Sequence, residues 1–226
     1  MTAVKPQITK SYASGDIAYM TTLVNQSARF SFYLLLFLSL PIIVNIDFIL
    51  DVWLKTVPNS TSIFVILTMI FTLIESLSQS LMTAQLATGK VKNYQLIVGG
   101  INLLNLPVSY VFMRIGYAPE VFLYVAIFFS IVCLAARLIM LKKNTGFDSL
   151  CFVQKVFCNC TLVTIVALIL PMFAKRYGDN DWKSFILLTL LCVVTTLLAE
   201  FFVGCSKRER LMAINKLIEI KKKIKK

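Results

Sequence analysis

Histidine is absent from this chain of 226 residues, and only 11 acidic side chains stand against 23 Lys and Arg. Without imidazole there is no Ser-His-Asp set, no His-ligated metal and no imidazole acid–base pair. The acids number only 11, and no paired-carboxylate run of the kind used in metal-dependent lipid-phosphate chemistry is read among them. Gly89-Lys90 lacks the preceding glycine of a phosphate-cradling loop. Six cysteines are present, at 133, 151, 158, 160, 192 and 205. None falls in an obvious extracytoplasmic loop, which argues against a disulfide framework. Cys158-x-Cys160 has no second pair at metal-finger spacing and reads as small residues at a helix end. Residues 1–28 lack a continuous apolar core, so no cleavable signal peptide is read there. No catalytic residue, metal site or cofactor is expected, and the chain is not read as an enzyme.

What the chain has in abundance is hydrocarbon. Hydrophobic residues make up 58%, and the mean hydropathy is +0.80. A helix crossing a bilayer needs about 20 mostly apolar residues, because the hydrocarbon layer is about 30 Å thick. Six stretches qualify: 30–46, 62–86, 94–113, 121–141, 157–174 and 184–204. Lipid offers no partner to backbone N–H and C=O groups, so each must be helical. The fold class is therefore an all-α polytopic membrane protein with six transmembrane helices. A polar segment over 1–28 precedes the bundle at 29–204, and a basic amphipathic tail over 205–226 follows it. Within the first segment, a helix is expected to begin after Asp16 and run on as an extension of the first span.

The net charge of +12 would suit nucleic acid, but its placement argues for a membrane instead. Lys55, Arg114, Lys175, Arg176 and Lys183 belong to one set of alternate connections; the remaining 18 of the 23 cations, Arg137 among them, fall to the other set and the tail. The positive-inside rule makes the richer side cytoplasmic. Six spans then put both termini there. The second half of the connection 142–156 is expected to lie along the interface, and the tail to rest on an anionic leaflet or to serve as a solubilising end.

Polar groups inside spans need a reason to be there. Thr72, Glu75, Gln79 and Thr83 recur at helical spacing in the second span, a stripe expected to face protein or water. It can line a substrate path, take a proton or form an interhelical hydrogen-bond network. The third span carries Asn102 and Asn105 at mid-depth, with Gly99 and Gly100 permitting close approach. Pro107 should kink it, and Pro41 makes a weaker point of the same kind in the first span. The substrate-pathway candidates are Glu75, Gln79, Asn102, Asn105 and Arg29; the hinge candidates are Pro41, Gly99, Gly100 and Pro107. Arg29, at the start of the first span, suits either a phosphate contact or snorkelling to the interface. Glu200 is expected to pair with the basic tail.

The opening residues carry a resemblance. Pro6, Ile8, Tyr12-Ala13 and Gly15-Asp16 lead into an apolar helix containing Pro41, and Trp53-Leu54 follow at its outer end. This pattern resembles the lipid-linked polysaccharide (O-antigen) flippases of the multidrug, oligosaccharidyl-lipid and polysaccharide exporter superfamily. The resemblance implies one lobe of a two-lobe transporter, the C-terminal one, with the other lobe missing and Met1 an internal methionine of a longer protein. It implies a bacterial inner-membrane location and a lipid-linked oligosaccharide (undecaprenyl-pyrophosphate glycan) as substrate, with no nucleic acid. Such cavities tend to use cationic side chains for the pyrophosphate; no mid-membrane cation is expected in this chain. The alternatives are a multidrug/cation antiporter of the same superfamily, or a non-transporting membrane subunit.

Overall fold

The protein is described by a computed structural model covering residues 4–54, 56–176, 181–206 and 209–211. Among these residues every regular element is a helix. Six helices, or helix pairs joined end to end, are long and apolar enough to cross a membrane: Ile17–Val44, Thr61–Ala87, Val91–Ile115, Val121–Thr145, Ser149–Lys175 and Trp182–Gly204. The six spans read from hydropathy are thus all present, and the chain is a multi-pass membrane protein.

A short helix α1 (Lys5–Ala13) precedes them, with Pro6 in its first turn, where its missing N–H costs nothing. Gly15, at φ +77°, reverses the chain in a left-handed conformation. Asp16 then caps α2 (Ile17–Val44), its carboxylate accepting the Tyr19 N–H at 2.9 Å. The expected extension is real. Met20, Val24 and Ala28 are fully buried, and α1 packs against both α2 and α4 through Ile8.

Asn45 ends α2 by donating both its backbone N–H and its side-chain amide to the Pro41 carbonyl. The helix runs through Pro41 to Val44 before the amphipathic α3 (Ile46–Trp53) begins. The second span is α4 (Thr61–Ala87). The third is two pieces, α5 (Val91–Leu103) and α6 (Asn105–Ile115). Pro107 has no N–H for the Leu103 carbonyl, and the Leu104 N–H is shared between Gly100 and Ile101. The break expected at Pro107 is therefore displaced three residues toward the N-terminus, because the missing bond is to the fourth residue before proline.

The fourth span is α7 (Val121–Thr145). The fifth departs from expectation. Residues 149–156 do not form a separate interfacial segment; they are the start of the span itself, as α8 (Ser149–Phe152), a π-turn (Val153–Phe157) and α9 (Cys158–Lys175). The side chain of Asp148 caps this helix, and the burial of Phe147 and Phe152 ties its start to the core. The sixth span is α10 (Trp182–Ala199), ending in a second π-turn (Glu200–Gly204).

Packing runs as a row: α5 and α6 on α7, α7 on α4, α4 on α2, and α2 on α9 and α10. The main core gathers around α2. The third span sits at one margin of the row, with Leu96, Leu103, Leu106, Val111 and Ile115 exposed, as lipid contact or a further helix layer allows. The basic tail beyond residue 211 lies outside the described residues.

Candidate functional site

Two polar sites emerge from this packing. The first is buried between α4, α5 and α7. Glu75, halfway along α4, accepts a hydrogen bond from the Ser130 hydroxyl at 2.6 Å and faces the Arg137 guanidinium at 3.7 Å. Arg137 Nε donates to the Tyr94 hydroxyl of α5 at 3.3 Å. One turn away on α7, the Cys133 thiol lies 3.4 Å from Asn102 Oδ1 and 3.8 Å from the Val98 carbonyl. Arg137 is a buried cation about two-thirds of the way along α7, its side chain 7% exposed against 27% for Glu75. Two expectations change here. Arg137 is not a loop charge, and the chain does hold a cation inside its spans. Its apolar successors Leu138 to Leu141 were the available signal: they keep Arg137 about 7.5 Å along the helix from the next cation, Lys142. The lysines at 90, 92, 142 and 143 still sort to one set of connections without it.

The stripe in the second span divides. Glu75 turns toward α7, while Gln79 is exposed and lines a groove on the side of α1 and α2. Thr72 is exposed and Thr83 is buried, each hydroxyl donating to the carbonyl four residues back. The face inferred from spacing was too wide for one neighbour, since positions three and four apart fan out across a bundle whose helices α2 and α7 flank α4 on opposite sides.

The groove is the second site, a cavity of about 560 Å³ between α1, α2 and α4. Gln7, Gln26, Ser31, Ser76 and Gln79 supply amides and hydroxyls; Leu23, Phe30, Leu34 and Leu35 supply hydrocarbon. At its edge Arg29 pairs with Glu209, which Gln26 also contacts at 3.4 Å. Glu209 in turn caps its own helical turn, accepting the Ser206 N–H at 2.8 Å. Arg29 is thus held by the beginning of the tail, and Arg29 Nε has no hydrogen-bond partner among the described residues. Glu200 does not pair with the described part of the tail: its Oε1 is buried and unpartnered, and Arg210 donates instead to the carbonyls of Cys205 and Phe202.

The remaining candidates have local roles. Asn105 accepts from Ser109 within α6 at 3.1 Å, and Asn102 is exposed apart from its thiol contact. A Cβ added at Gly99 or Gly100 would meet no atom within 4 Å, so no close approach uses them among the described residues. The close approach occurs at Gly204, where a Cβ would lie 2.7 Å from the Tyr33 hydroxyl. That hydroxyl and the Asn159 amide both donate to the Gly204 carbonyl. Among the described residues no group of His, Cys, Asp and Glu is placed to hold a metal.

Comparison with protein-family models, curated proteins and solved structures finds no match to this chain.

Proposed function

We propose that this chain is the C-terminal lobe of a polysaccharide flippase-like transporter of the bacterial inner membrane, with both termini cytoplasmic. It moves a lipid-linked glycan, carried on undecaprenyl pyrophosphate, from the cytoplasmic to the outer leaflet. No bond is made or broken, so it is not an enzyme. The observation that carries the reading is the two-toned groove. Amide and hydroxyl groups of Gln26, Ser31, Ser76 and Gln79 share one 560 Å³ cavity with Phe30 and Leu34. A substrate with a hydroxyl-rich head and a hydrocarbon tail presents the same two chemistries, and exposed amides on a membrane helix are costly unless they meet water, protein or a polar ligand. Arg29 beside the groove, paired with Glu209, adds a cation suited to an anionic linkage. The motif around Pro6, Tyr12-Ala13 and Gly15-Asp16 supports the same family.

The antiporter reading draws on Glu75 as a proton carrier. Glu75 already has a structural task, holding Arg137 and Ser130, so the groove reading is preferred.

The test is Gln79→Trp combined with Gln26→Leu, made in the full transporter context and scored for surface glycan. Export should fall while the membrane level of the protein holds. Unchanged export at normal protein level overturns the groove as the path, and a retained drug-efflux activity would move the assignment to the antiporter. Copurification with a partner and no transport defect on deletion would leave a non-transporting subunit.

A further inference from the structure

A separate cleft of about 330 Å³ opens where α5 begins and α7 ends, lined by Lys90, Asn93, Ile97, Met140, Lys143 and Asn144. We infer that this cleft binds the phosphate group of an anionic membrane-lipid headgroup. The inference does not depend on the transport reading.

Three observations converge on it. The cleft has two ammonium groups and two carboxamides at its mouth, while Ile97 and Met140, roughly one turn deeper on each helix, supply an apolar floor. That is the layering of a lipid at the interface: phosphate at the helix ends, acyl chain beside the spans. Among the described residues the charges also lack an internal counter-ion. Residues 88–94 and 138–147 contain Lys90, Lys92, Lys142 and Lys143, with Arg137 turned inward to Glu75, and no carboxylate. The nearest acid along the chain, Asp148, is committed to capping α8. Finally, the side chains of Lys90, Asn93, Lys143 and Asn144 make no hydrogen bond or ion pair among the described residues. Four convergent polar side chains without protein partners, in a cleft that opens at a span end, match a phosphate ligand's need for several donors. The first turn of α5, which no side chain caps, adds partial positive charge at the same place.

The experiment uses purified protein in phosphatidylcholine nanodiscs with or without phosphatidic acid, followed by native mass spectrometry of retained lipid and by thermal melting. Wild type should retain phosphatidic acid in preference to phosphatidylcholine and melt higher in its presence. Lys90→Gln with Lys143→Gln should weaken retention roughly thirtyfold, about fivefold per lysine near the surface. Lys92→Gln with Lys142→Gln makes the same change in net charge outside the cleft lining and should weaken it no more than about threefold. Equal loss in both pairs would mean diffuse surface charge and overturn the site, as would an absence of preference for phosphatidic acid. Should the lysine pair melt low in pure phosphatidylcholine, Asn93→Leu with Asn144→Leu removes donors without charge and must still lower retention. Inorganic phosphate is the second probe: if it alone raises melting as far as phosphatidic acid does, the ligand is a free anion and the lipid assignment fails.

Discussion

Glu75 and Arg137 face each other at 3.7 Å across the second and fourth spans, and the Ser130 hydroxyl donates to the same carboxylate oxygen. The pair explains why two charges can sit in hydrocarbon. Each neutralises the other; Ser130 donates to the carboxylate and Tyr94 accepts from Arg137 Nε, while Arg137 Nη1 has no hydrogen-bond partner among the described residues. The guanidinium also ties α5, the first half of the bent third span, to α4 and α7.

Removing one partner should therefore cost more than removing both. Glu75→Leu leaves Arg137 uncompensated and should lower stability by about 3 kcal/mol. Arg137→Met should cost a similar amount. The double variant should recover to within about 1 kcal/mol of wild type, since a well-packed apolar replacement is often neutral. Melting in detergent, arranged as a double-mutant cycle, checks this. Additive losses would show that the two charges do not interact.

At Gly204 the prediction is steric. A methyl group placed there meets the Tyr33 hydroxyl at 2.7 Å and its ring carbons at 2.8 and 2.9 Å. Gly204→Ala should therefore destabilise by about 1–3 kcal/mol, the usual cost of overpacking. Tyr33→Phe should cost only about 1 kcal/mol, since it loses one hydrogen bond and Asn159 still serves the carbonyl. Thermal melting of the two variants side by side should preserve that order.

Gly99 and Gly100 invite the opposite result. With open space around both, Gly99→Ala and Gly100→Ala should raise stability by about 0.5–1 kcal/mol by restricting the unfolded chain and favouring helix. If this face meets a second lobe during transport, Gly99→Leu should impair export without lowering the melting temperature. Normal export by that variant would remove the third span's glycines from the hinge candidates.

Cys205, just past the last span, tests the docking of the tail. Burial pushes its thiol above the usual range, the Glu209 carboxylate pushes the same way, and Arg29 and Arg210 oppose. The thiolate is the reactive form, so maleimide labelling at Cys205 should need a more alkaline pH than an exposed thiol does. Glu209→Gln removes one raising influence but also frees the Arg29 side of the contact, so labelling should begin at lower pH. A labelling profile that does not move would show that Glu209 is not docked beside Arg29 and Cys205.

The sequence by itself determined the class and most of the spans. Hydrocarbon runs of bilayer length leave no alternative to helices, and Pro6, Asp16 and Gly15 mark the first helix boundaries through effects confined to a few neighbouring residues. Local chemistry also located the bend in the third span, to within the offset that a missing proline N–H creates. The tertiary structure decided which polar residues meet. Spacing put Glu75 and Gln79 on one face, yet α7 takes the first and the α2 groove the second. Arg137 read as a loop cation because linear hydropathy cannot see a counter-charge on another helix. The partnership of Glu209 with Arg29, 180 residues apart, has no trace in local pattern. A membrane charge is tolerated only where another element neutralises it, and that element is chosen by packing.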